Sequence, residues 1–125
     1  MAIPAKLQNE IKQFQRLQQE LTQYTQQRVQ MDLKLRETVH TLDALTKIPD
    51  DSTVYRPLGG LLVKAKNRKE VEDLLTEEKE TLEVRVRALE RQENQLKDRY
   101  TEMQKELSEA LQAAGVGAES RPSAP

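Results

Sequence analysis

Apolar side chains recur every three or four residues along two stretches of this chain, residues 5 to 48 and 69 to 112. Such spacing places them on one face of an α-helix and is typical of a coiled coil, in which two apolar faces pack together. Both stretches are nearly equal in length, and they therefore predict two long helices that pack against each other. The first stripe contains Phe14, Leu17, Leu21, Tyr24, Met31, Leu35, Leu42 and Leu45, and the second contains Leu82, Val86, Leu89, Leu96, Tyr100, Met103 and Leu107.

Polar residues interrupt these stripes at three positions, Arg28, Thr38 and Glu93. Such interruptions set the register of a coil or loosen it. Upstream of the second stripe, Val71, Leu74 and Leu75 extend its apolar face back to Asn67. Asn67 and Glu70 have the spacing of a capping box, which predicts the start of the second helix. Gly115 follows the second stripe, where a glycine commonly ends a helix.

The segment between the stripes, about residues 53 to 65, has a different pattern. Its β-forming runs, Val54 to Arg56 and Leu61 to Lys64, flank the turn-forming residues Pro57 to Gly60. This arrangement predicts a β-hairpin. A link of this length is too short for a domain, so the helices are expected to fold back on each other. The predicted fold is mainly α: a long antiparallel two-helix coiled coil with a single β-hairpin at the connection and both termini at the opposite end.

A lone hairpin is only marginally stable in water, and its unpaired edges attract other strands. The apolar residues Leu61, Leu62 and Val63 need further surface to pack against, and the chain offers no other strand. We therefore expect a second copy or a partner subunit to supply the missing strands.

Composition favours a helical interaction protein and excludes several other classes. Charged residues make up 33% of the chain, aromatic residues only 3%, and the net charge is −1. This balance argues against nucleic-acid or anionic-membrane partners. Cysteine is absent, which excludes disulfides and thiolate zinc sites. No apolar run is long enough for a membrane span or a signal peptide, so we expect a soluble cytoplasmic protein without a membrane partner.

Candidate catalytic or ligand-binding residues have simpler structural interpretations. His40 is the only histidine and has no suitably spaced nucleophile or carboxylate pair, so a helix-surface position is expected. Asp50 and Asp51 suit a turn better than a metal site, and Gly59-Gly60 lacks the remaining elements of a phosphate loop. No enzymatic activity, metal or cofactor is predicted.

Two polar clusters are also expected to be solvated. The basic residues Lys64, Lys66, Arg68 and Lys69 are followed at once by acidic residues and have no neighbouring aromatic residue for base stacking. Nine glutamines between Gln8 and Gln30 fall outside the apolar stripe and give the first helix an uncharged polar surface.

The layout of coil, hairpin and coil resembles the β-type subunits of the prefoldin family. The resemblance covers residues 5 to 112 and is most specific at Val54 to Lys64 and at Glu80 to Glu93, where the chain is similar to the archaeal β subunit. Eukaryotic subunit six is the next most similar relative. The α-type subunits have two hairpins, whereas the roughly 20 residues between these coils have room for one. We therefore expect a β-type domain over residues 1 to 114 and a disordered tail over 115 to 125.

This resemblance implies an ATP-independent holdase within a hexamer of two α-type and four β-type subunits. Such complexes bind non-native client proteins at the ends of their coiled coils and deliver them to a group II chaperonin. Residues matching the assembly segment are Val54, Tyr55, Leu58, Leu61, Leu62 and Val63. Residues matching the client-binding coil tips are Ile3, Leu7, Ile11, Phe14, Met103, Leu107 and Leu111.

Two alternatives remain open from the sequence. A structural coiled-coil adaptor without client-holding activity explains both helices but leaves the apolar hairpin unexplained. A nucleic-acid-binding protein or an enzyme would depend on the basic cluster or on His40 alone.

Overall fold

Two long helices and one β-hairpin make up the fold. The structure is a computed structural model that describes residues 3–115. Helix α1 (Ala5–Thr46) and helix α2 (Arg68–Ala113) pack against each other, and strands β1 (Tyr55–Leu58) and β2 (Leu61–Lys64) lie between them in sequence. The predicted fold class is confirmed, and the predicted helix ends differ from the observed ones by at most two residues. Most of the predicted disordered tail, residues 116–125, lies outside the described residues.

The chain divides into two compact units, each built from parts of both helices. We call residues 3–26 and 90–115 the terminal unit and residues 27–89 the hairpin unit. In the terminal unit the Phe14 and Tyr100 rings stack with centroids 4.8 Å apart. In the hairpin unit a buried cluster brings together Leu45 of α1 and Val71 of α2. Each unit therefore has its own apolar contact between the two helices.

The predicted apolar stripes form the interiors of these units. The stripe positions from Phe14 to Leu45 and from Leu82 to Leu107 are all buried or half-buried. Two polar side chains are buried among them, Thr38 and Glu93. The Thr38 hydroxyl donates a 2.8 Å hydrogen bond to the backbone oxygen of Lys34, so this buried hydroxyl has a hydrogen-bond partner within α1. One prediction was wrong: Leu74, assigned to the apolar face of α2, is exposed.

The second helix begins with a modified form of the predicted capping box. The side-chain oxygen of Asn67 accepts a 2.9 Å hydrogen bond from the backbone N–H of Glu70, as expected for an N-cap. The Glu70 carboxylate accepts a 2.7 Å bond from the backbone N–H of Lys66 instead of Asn67. At the other end, Gly115 has a φ of +81° and donates to the Gln112 carbonyl oxygen, so this glycine follows α2 as predicted.

The hairpin turn is tighter than the sequence predicted. Only Gly59 and Gly60 connect the strands, because Leu58 pairs with Leu61 and Pro57 with Leu62. Gly59 has a φ of +59°, which suits a two-residue turn with glycine in its first position. Hydrogen-bonded pairs alternate along an antiparallel ladder, and the Ala65 N–H donates to Val54 O at 2.9 Å. This alternation places Pro57 at a pair without mutual hydrogen bonds, where its missing N–H breaks no ladder bond.

Candidate assembly and client-binding sites

The hairpin presents most of its apolar side chains to solvent. Residues opposite each other in an antiparallel pair share a face, so one face carries Tyr55, Pro57, Leu62 and Lys64, which are all exposed. The exposed fraction is 57% for Tyr55 and 75% for Leu62. At the turn, Leu58 and Leu61 are exposed by 53% and 68%. The hairpin therefore exposes apolar side chains, both on this face and at the turn, that α1 and α2 do not cover.

The base of the hairpin is packed on the helices. Ala65 is buried with Leu45 and Val71, while Val54 packs against this cluster. Val63 is half-buried. The six residues predicted for assembly therefore divide into two groups: Val54 and Val63 lie toward the hairpin's own helices, and the other four are free to contact another chain.

Both outer edges of this sheet are also open. The sheet contains two strands, and within residues 3–115 no third strand pairs with either one. Unpaired edges carry backbone donors and acceptors that a strand of another chain can satisfy. Open edges and exposed apolar side chains together make the hairpin a candidate assembly site.

Arg68, the first residue of α2, binds the segment that follows α1 on the other side of the hairpin. This structural role was not predicted from the sequence. Its guanidinium donates to the carbonyl oxygen of Ile48 at 2.8 Å. It also lies 2.8 Å from a carboxylate oxygen of Asp50 and 3.1 Å from one of Glu72. Arg68 was expected in a solvated basic cluster, although its spacing of four residues from Glu72 was a signal of an ion pair on the helix.

Arg56 makes a second, weaker connection between the hairpin and α2. Its Nε lies 3.8 Å from a carboxylate oxygen of Glu70, the residue that also takes part in the cap of α2. Both side chains are about one-third exposed, so this ion pair contributes little to the free energy of unfolding. The pair lies between β1 and the first turn of α2.

All seven residues predicted for client binding belong to the terminal unit, where they fall into two groups. Leu7 and Leu107 are buried in the apolar interior. The others are half-buried and keep part of their surface in solvent: Ile3, Ile11, Phe14, Met103 and Leu111. A client can contact this second group directly, whereas contact with Leu7 and Leu107 requires the helices to separate. The assignment to client binding stays a prediction.

Met103 is half-buried and lies beside two open grooves. It lines a shallow groove of about 370 Å³ together with Leu17 and Arg99, and a smaller one with Glu102 and Glu106. Methionine adapts its shape to irregular apolar partners. The groove therefore combines an adaptable apolar side chain with charged neighbours.

His40, the residue considered as a catalytic base, is exposed on α1 as expected from the sequence. In the described part of the chain, no group of histidine and acidic side chains has the arrangement of a metal site. Neither helix, within residues 3–115, has an apolar stretch long enough to cross a membrane.

Comparison with known proteins agrees with this architecture. The family model of prefoldin subunits matches residues 8–114. The chain is 40% identical over 109 residues to the prefoldin subunit beta of Archaeoglobus fulgidus, covering 87% of this chain and 93% of that one. It is 38% identical to the prefoldin subunit beta of Thermococcus kodakarensis, covering 92% and 97% of the two chains.

A solved structure shares the fold. The crystal structure of the prefoldin beta subunit from Thermococcus strain KS-1 is similar with a TM-score of 0.79 and 37% identity, covering 88% of this chain and 96% of that one. The two helices, the single hairpin and these relatives all lead to the same conclusion, that the chain belongs to the prefoldin subunit family and is of the β type.

Proposed function

We propose that this chain is a β-type subunit of a prefoldin hexamer, in which two α-type and four β-type subunits join through their hairpins. Membership of the family implies assembly into a multi-subunit complex. The observation that carries the proposal is the hairpin, whose apolar side chains Tyr55, Leu58, Leu61 and Leu62 are more than half exposed while both sheet edges are open. Strand addition from neighbouring subunits would cover both features at once.

The complex acts as an ATP-independent holdase for non-native proteins in the cytoplasm. Half-buried apolar residues of the terminal unit, among them Phe14 and Met103, supply contact surface for exposed apolar segments of a client. Burial of apolar area drives such binding, and it needs no chemical step or nucleotide. The client is then delivered to a group II chaperonin.

The test of this function uses the chain assembled with an α-type subunit. A client enzyme is diluted from denaturant, and its aggregation is followed by light scattering without ATP. We expect the assembled complex to suppress aggregation and to release the client for refolding when a group II chaperonin and ATP are added. Unchanged aggregation in the presence of a correctly assembled complex would contradict the proposal and favour a structural adaptor.

A further inference from the structure

The two strands of the hairpin present different backbone groups at their outer edges. Along an antiparallel pair, successive residues direct their N–H and C=O groups alternately toward the other strand and away from it. The bond from the Ala65 N–H to Val54 O fixes this alternation, so Tyr55 and Pro57 are the residues of β1 whose backbone groups point outward. Pro57 has no N–H, and the outer edge of β1 therefore presents a single donor, that of Tyr55.

The outer edge of β2 is complete. Its outward residues are Leu62 and Lys64, the cross-strand partners of Pro57 and Tyr55, and each has both an N–H and a C=O group. Both side chains are also exposed. Proline at the edge of a sheet prevents a further strand from pairing fully there. Another strand can therefore form an uninterrupted ladder on β2 but not on β1.

Charge indicates which kind of strand fits the edge of β2. Lys64 is exposed at this edge, and within residues 3–115 its ammonium group has no carboxylate partner. Two copies of β2 that paired through Leu62 and Lys64, with these side chains on one face, would place the two Lys64 residues opposite or diagonal to each other, about 5–8 Å apart. Like charges at this spacing repel, whereas an acidic residue opposite Lys64 is attracted.

We propose that β2 is the main edge through which this chain joins its complex, and that its partner there is a strand of a different subunit with an acidic residue opposite Lys64. This inference rests on the proposed assembly through hairpins and specifies which edge carries it. The edge of β1 forms the weaker junction, because a strand paired there finds no donor at Pro57. A sheet built from several hairpins should therefore open first at β1.

Hydrogen exchange of the wild-type chain compares the two edges without changing any residue. The N–H groups of Tyr55, Leu62 and Lys64 all point outward, so they should exchange rapidly in the isolated chain. On assembly with an α-type subunit, we expect exchange at Leu62 and Lys64 to slow by about tenfold more than exchange at Tyr55. Equal slowing at the three positions, or greater slowing at Tyr55, would overturn the inference.

Two matched proline substitutions test the same difference by affinity. Tyr55 and Lys64 are cross-strand partners, so Y55P and K64P each remove one outward N–H at the same level of the sheet. The controls Y55A and K64A remove the side chain but keep the N–H. We expect K64P to assemble about tenfold more weakly than K64A, and Y55P to differ from Y55A by less than about threefold. Hydrogen exchange of the wild type decides the question if a proline variant loses its hairpin.

The charge of the partner strand is tested with K64E. An acidic residue opposite position 64 should make K64E assemble about tenfold more weakly than K64A at low salt. Added salt should reduce this difference, because it screens exposed charges. Equal affinity of K64E and K64A at low salt would contradict the acidic partner residue.

The outcomes separate this inference from the proposed function. Equal effects of the two proline substitutions, each relative to its alanine control, would overturn the inference and leave assembly through the hairpin intact. Slowed exchange at Leu62 and Lys64 in the concentrated chain alone would also overturn it, because the partner on β2 would then be a second copy. Failure of the wild type to bind an α-type subunit at all would contradict the proposed function itself.

Discussion

The guanidinium of Arg68 donates a 2.8 Å hydrogen bond to the backbone carbonyl oxygen of Ile48, a residue 20 positions earlier in the chain. This bond joins the segment that leaves α1 to the first turn of α2. Arg68 also pairs with Asp50 on the connecting segment at 2.8 Å. The hairpin emerges between these two points, so Arg68 helps to determine how the hairpin is held on the helices.

Replacing Arg68 with alanine should destabilise the hairpin unit. Loss of a charge-assisted hydrogen bond from a largely buried side chain lowers the free energy of unfolding by roughly 1–2 kcal/mol. Chemical denaturation measures this change, and hydrogen exchange should show faster exchange at the Ala65 N–H, which bonds Val54. R36A is the control, because Arg36 is an exposed arginine of the same unit. Equal stability of the two variants would contradict a structural role for Arg68.

Replacing Leu62 with glutamate should prevent assembly without unfolding the subunit. Leu62 is 75% exposed, so the free energy of unfolding of the isolated chain should change by no more than about 0.5 kcal/mol. A charge on the apolar hairpin face should block packing against neighbouring subunits. Size-exclusion chromatography with the α-type subunit measures the loss of complex.

The control for this substitution is L33E, which places the same charge at an exposed leucine of α1. We expect this variant to assemble normally. A complex that forms equally well with either variant would show that the exposed hairpin face is not the assembly surface.

Replacing Thr38 with valine should stabilise the hairpin unit slightly. The Thr38 hydroxyl bonds the Lys34 carbonyl oxygen, an oxygen that the helix backbone also engages, so its removal leaves no unpaired group. A methyl group in its place adds apolar area to the interior, and we expect a gain of about 0.5–1 kcal/mol in the free energy of unfolding.

Thr41 provides the matched control for this substitution. It makes the same bond to a carbonyl oxygen four residues earlier, that of Glu37, but lies at the surface. T41V should therefore leave the thermal midpoint nearly unchanged. A destabilised T38V variant would mean that the hydroxyl contributes more than burial of a methyl group.

The stacked rings of Phe14 and Tyr100 should be energetically coupled. Their centroids are 4.8 Å apart with 25° between the ring planes. A double-mutant cycle of F14A and Y100A, measured by chemical denaturation, should give a coupling energy of about 0.5–1.5 kcal/mol. Strictly additive effects would indicate that the rings do not hold the two helices of the terminal unit together.

The fold could be predicted from the sequence because the spacing of apolar residues indicates which side of each helix is buried. The apolar stripes predicted both helices, and the Asn67 cap and Gly115 defined where α2 begins and ends. Pro57 was assigned to the turn between the two β-forming runs. In the structure Pro57 lies within β1, at a position where the ladder needs no backbone N–H. That position depends on the register of the two strands, which amino-acid composition does not specify.

The role of Arg68 and the burial of individual tip residues could not be predicted from the sequence, because both depend on contacts between residues that are distant along the chain. The role of Arg68 depends on the Ile48 carbonyl, whose direction is set only after the connection has folded. The sequence also predicted the seven tip residues as one set, while the structure buries Leu7 and Leu107 and leaves the other five half-buried. A stripe identifies which residues face a partner helix, but side-chain exposure depends on how the helices pack.

The open hairpin should bring this chain into a complex with other subunits. Native mass spectrometry of the chain mixed with an α-type subunit measures the mass of that complex. We predict one dominant species with the mass of two α-type and four β-type chains. A chain that stays monomeric, or that forms a stable homodimer and does not bind the α-type subunit, would contradict assembly through the hairpin.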